Sequence, residues 1–126
     1  MFSKGIGYGV AVLSLVLGAQ MALAATPAVR DMAGILVNLN HFPSDAEKTK
    51  LHAIMSSSAS TEQERVLAMA IANLKHAAAD ADKPKLKQLM GDAAAPAEVR
   101  DMAGIILNLN HKPSTADQAK LKQMLQ

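Results

Sequence analysis

Residues 29–44 read VRDMAGILVNLNHFPS and residues 99–114 read VRDMAGIILNLNHKPS, a near-identity 70 residues apart. Midway between them, residues 64–79 read ERVLAMAIANLKHAAA, a looser copy in the same frame. The period is 35 residues, and from residue 26 onward the chain aligns on itself without a gap. Ala33, Ala68 and Ala103 coincide, as do Leu39, Leu74 and Leu109, His41, His76 and His111, and Leu51, Leu86 and Leu121. Self-similarity at such a period signals an array of supersecondary units. The units are 26–60, 61–95 and 96–126.

Inside a unit the apolar spacing is that of a helix. Val29, Met32, Leu36 and Leu39 fall at i, i+3, i+7 and i+10, and Leu67, Ile71 and Leu74 continue the stripe in unit two. Thr26-Pro27, a Thr61-x-x-Glu64 capping box and Pro96 mark the start of this first helix. Its end is expected near His41, His76 and His111, just before Pro43 and Pro113. A second helix opens at the Ser44-x-x-Glu47 box and at Ser114 with Asp117, carrying Leu51, Ile54 and Met55, or Leu86, Leu89 and Met90, or Leu121, Met124 and Leu125. Strand signals are absent. The expected fold is all-α, three tandem helical hairpins stacked as a small α-solenoid or bundle, since one hairpin cannot bury its apolar stripe alone. Where units one and three carry Asp31/Asp101 and Gly34/Gly104, unit two carries Val66 and Met69, which reads as extra apolar surface for a unit flanked on both sides. The period approaches that of tetratricopeptide units, whose aromatic and glycine signature is missing here.

Ahead of the repeats, residues 1–24 have the layout of a secretory signal: Lys4, an uncharged apolar run over 6–19, and Ala22-Leu23-Ala24 as small-x-small. Cleavage after Ala24 leaves a mature domain of 25–126, periplasmic or secreted, with no stable membrane span. The competing reading is an uncleaved anchor, disfavoured by Gly5, Gly7, Gly9 and Gly18. Removing 24 of the 126 residues leaves 102, with 12 basic side chains against 11 acidic once Lys4 is gone, and Phe42 as the one aromatic.

That composition closes several classes of function. With no cysteine there is no disulfide framework, thiolate metal site, iron–sulfur cluster or thiol nucleophile. A charge near balance and a lack of aromatics give nucleic acid neither a basic stripe nor a stacking platform. Ser44 beside His41 and Asp45, or Ser114 near His111, are sequence neighbours in a turn rather than a nucleophile–base–orienter set, so no catalytic residue is assigned and no enzyme is expected.

What remains is the polar set that recurs in every unit. Asp31, Gly34, Asn38 and His41 share a helical face by spacing, repeated as Asp101, Gly104, Asn108 and His111, with Asn73 and His76 kept in unit two. In structural terms the histidines would serve the last helical turn, the asparagines (Asn38, Asn73, Asn108) would fix contacts between helices, and Gly34 and Gly104 would let helices cross closely. Arg30, Arg65 and Arg100, with Lys50, Lys85 and Lys120, read as a solvated face or as ion pairs with Asp31, Glu62, Glu64, Glu98 and Asp101. In functional terms His41, His76 and His111 offer imidazole to copper or zinc, methionine thioethers suit Cu(I), and a non-covalent haem could take axial His or Met. Against a metal, no two histidines have i, i+4 spacing. The sequence alone therefore favours a non-catalytic protein-interaction or scaffold module, binding another protein or itself without a cofactor. A metal or haem binder built on the repeated histidines is the alternative.

Overall fold

The computed structural model describes residues 25–126; the export signal read in 1–24 lies outside the described residues. Six helices form among these residues, and no strand: α1 (Pro27–Val37), α2 (Asp45–Ser56), α3 (Glu62–Ala72), α4 (Lys83–Met90), α5 (Ala97–Leu107) and α6 (Thr115–Met124). None is long and apolar enough to cross a membrane.

The starts of these helices follow from local chemistry. Thr26 accepts from the Val29 N–H with Pro27 in the first turn, and Ser44 and Thr61 form reciprocal capping boxes with Glu47 and Glu64. Ser114 caps α6 by accepting from the Asp117 N–H, while Pro96 stands at the N-cap of α5 rather than inside its first turn. Unit two departs from its neighbours where Ala77-Ala78-Ala79 replaces the Pro-Ser start signal. Its second helix is delayed to Lys83, runs only eight residues and has no side-chain cap. Asp82, at that cap position, is buried and accepts instead from Asn73 Nδ2 at 3.1 Å.

Packing runs all the way round. The second helix of each hairpin packs most extensively on the first helix of another unit: α2 on α3, α4 on α5, and α6 back on α1, while α1, α3 and α5 also meet one another. The core is the apolar stripe expected from spacing, with Leu36, Leu39, Ile71, Leu74, Ile106 and Leu109 all buried around Met32, Leu67 and Met102. Val66 and Met69 are not the extra core of a middle unit: Val66 is half-buried and Met69 is 45% exposed. The reason is the closed packing, which gives all three units neighbours on both sides. Over Gly104 lies the Met90 side chain and over Gly34 lies Leu125, so these glycines sit beneath side chains of a neighbouring helix rather than at a backbone-to-backbone crossing.

The repeated arginines join units through carbonyls, not carboxylates. Arg65 donates to the Ser57 carbonyl at 2.9 Å, and Arg100 to those of Asp92 and Ala93 at 3.4 and 3.3 Å, tying α3 and α5 to the turns that follow α2 and α4. Arg30 is half-buried in α1. The expected ion pairs with Asp31, Glu62, Glu64, Glu98 and Asp101 do not form; the ion pair among the described residues is Lys83 with Asp80 at 3.0 Å. Buried Glu64 is occupied otherwise, accepting from the Thr61 N–H at 2.9 Å and the Thr26 hydroxyl at 2.6 Å.

Candidate metal centre

The first helix of each unit ends earlier than its spacing suggests. Helices α1, α3 and α5 stop at Val37, Ala72 and Leu107, and Asn38, Asn73 and Asn108 are their C-caps, exposed to solvent. Asn38 and Asn108 therefore do not hold helices together as a buried polar contact, Asn38 Nδ2 turning back onto the Gly34 carbonyl at 3.1 Å, whereas Asn73 Nδ2 donates to buried Asp82 at the start of α4 and so joins the two helices of its unit. Asn is favoured here because its short side chain can satisfy local backbone groups. The next residue, Leu39, Leu74 or Leu109, drops into the core and directs the chain inward. Thus Asp31, Gly34, Asn38 and His41 do not share a helical face, and the histidines do not lie in a last helical turn.

Each histidine instead occupies left-handed backbone, with φ of 75° at His41, 69° at His76 and 71° at His111, the positive-φ non-glycine residues of the described chain. A side chain in this region is disfavoured by roughly 1–2 kcal/mol, and glycine is the usual occupant. The conformation is held by a ring of backbone hydrogen bonds. The His41 N–H donates to the His111 carbonyl at 2.8 Å, the His76 N–H to the His41 carbonyl at 2.7 Å, and the His111 N–H to the His76 carbonyl closes the circle. Each unit gives one bond and receives one, so the register of all three is fixed at one point.

The imidazoles meet over this ring. Their centroids are 4.9 Å (His41–His76), 5.0 Å (His41–His111) and 4.7 Å (His76–His111) apart, steeply inclined to one another. One nitrogen from each lies within 4.8 Å of the other two, and the Nδ1 atoms of His41 and His76 approach to 3.1 Å. Tetrahedral zinc places its nitrogen ligands about 3.4 Å apart, given bonds of about 2.0–2.1 Å, a separation near those between these ring nitrogens. His111 Nδ1 also meets Asn110 Oδ1 at 2.8 Å, the kind of outer contact that orients a ligand imidazole. Asn110 and its equivalent Asn40 were visible in the repeat as Leu-Asn-His, but nothing in sequence placed them beside a ring nitrogen. His41 is half-buried, while His76 and His111 are exposed, which leaves the cluster open on its solvent side.

The remaining candidates do not gather. Lys50, Lys85 and Lys120 are exposed on α2, α4 and α6. Ser44 and Ser114 are engaged with backbone N–H groups at helix starts. Of the six methionines in 25–126, Met32, Met102 and Met124 are in the core, Met55 is half-buried, and Met69 and Met90 are exposed. Comparison with protein-family models, with curated proteins and with solved structures finds no match to this chain.

Proposed function

We propose that this chain is a non-catalytic transition-metal binder in which three hairpin repeats close around an axis and present His41, His76 and His111 to one ion, copper or zinc. The observation that carries this reading is the combination of convergence and backbone conformation: at the one position per unit that favours glycine, the chain has histidine three times, and the three rings touch. Residues held in sparsely populated backbone regions cluster at functional sites. Neutral imidazole nitrogens suit zinc and copper, and three such ligands with an open fourth position are a known donor set for zinc. The spacing argument against a metal concerned two ligands on one helix; here each ligand comes from a different unit. A macrocycle between rings 4.7–5.0 Å apart has no room, which disfavours haem.

The interaction-module reading stands behind this one, because an extended binding surface belongs to an open row of units and α6 packs back on α1. The export signal read in 1–24 puts the mature chain in the periplasm or outside the cell, and intact mass of protein from its native host tests that.

Element analysis after equilibration with copper or zinc decides between the two functions. One ion per chain is expected, lost in His76→Ala and in the triple His→Ala variant while far-ultraviolet circular dichroism stays helical. A folded wild-type chain that retains no stoichiometric ion, or a triple variant that retains it, overturns the metal reading.

A further inference from the structure

The three imidazoles would bind an ion as uncharged ligands, and no carboxylate belongs to the cluster that could hold it. The residues preceding them are Asn40, Lys75 and Asn110, and those following are Phe42, Ala77 and Lys112. All six are exposed, and none is acidic. Within four residues of the histidines along the chain the acids are Asp45, in the first turn of α2, and Asp80, which is paired with Lys83. Lys75 and Lys112 have no carboxylate partner, since the ion pair of the described residues is the one at Lys83. A bound divalent cation would thus keep its full double charge, with two further cations on the flanking residues and an open side toward solvent.

Resting on the metal reading above, we infer that the loaded apex is a receptor for small anions. A fourth ligand with an anionic oxygen or nitrogen donor, such as phosphate, a carboxylate or azide, displaces the metal-bound water and neutralises part of the charge. The water leaves, the anion's lone pair forms the new bond to the metal, and no redox change occurs. Lys75 and Lys112 act from the flanks by raising the local concentration of anions, a contribution that salt screens over about 10 Å at 0.1 M. An electrically neutral ligand gains nothing from the two flanking lysines.

The test uses the mature chain loaded with Co(II), whose visible bands report its ligand set. Titration with azide, acetate and inorganic phosphate in separate arms should each change the spectrum saturably at constant cobalt content. The Lys75→Glu, Lys112→Glu double variant should still hold cobalt but bind each anion about tenfold more weakly, as expected for replacing two nearby cations by anions in water. A spectrum that no anion moves at full cobalt occupancy, or a double variant with undiminished anion affinity, overturns this inference and leaves the metal site standing. Failure to take up cobalt, zinc or copper overturns the metal site itself.

Discussion

At position 76 a histidine sits at φ 69° within hydrogen-bonding distance of both neighbouring units, and that combination separates backbone strain from side-chain chemistry. Replacing His76 by Ala keeps a Cβ in the disfavoured region, whereas Gly relieves it. In metal-free protein His76→Gly should therefore be more stable than His76→Ala by about 1 kcal/mol, read from urea unfolding. Equal stability of the two would mean that the residue does not hold left-handed backbone. Neither variant keeps the imidazole. The three-fold recurrence of the histidine was plain in sequence, but its backbone conformation was not: Asn-His at a helix end is compatible with a last helical turn, and only the pull of Leu39, Leu74 and Leu109 into the core ends the helix early.

At the scale of the element, first helices pack beneath the second helices of neighbouring units, and the contact at their midpoint varies. Gly104 lies under the flexible tip of Met90, whose Cε would be 3.5 Å from an added Cβ, and a Cβ added at Gly34 would lie 3.7 Å from Leu125 Cδ2. Both are ordinary contact distances, so the usual helical advantage of alanine prevails. Gly104→Ala should stabilise by about 0.5–1 kcal/mol, seen as a higher melting temperature, and Gly34→Ala should behave likewise. A destabilised Gly104→Ala would show that Met90 cannot give way. Spacing identified these helices and their caps correctly where a Ser or Thr box was present. It gave α4 no start, because Ala77-Ala78-Ala79 contains no start signal and the helix begins only after Asp82, which is held by Asn73.

The molecule as a whole is closed by α6 against α1, and deletion tests that closure. Removing residues 115–126 strips α1 of the helix it packs on most extensively, exposing the surface around Gly34 that Leu125 covers. In an open row the remaining units would keep their mutual contacts and unfold much as before. In the closed arrangement the truncated chain should lose cooperative unfolding, with a shallow urea transition and poorly dispersed amide resonances. A sharp transition with near wild-type midpoint would contradict closure.

The sequence by itself determined the 35-residue period, the all-helical character and most of the core, because these depend on local propensity, capping chemistry and apolar spacing. It also placed a histidine, an asparagine and an arginine at equivalent positions in every unit. Only the tertiary structure decided what those positions do. Asparagine became a solvent-exposed cap, and Arg65 and Arg100 became donors to the carbonyls of the preceding turn. The histidines, far apart along the chain, met at one point. Their contact arises from a ring of backbone bonds between units, and a periodic sequence specifies the unit without specifying whether the row of units closes.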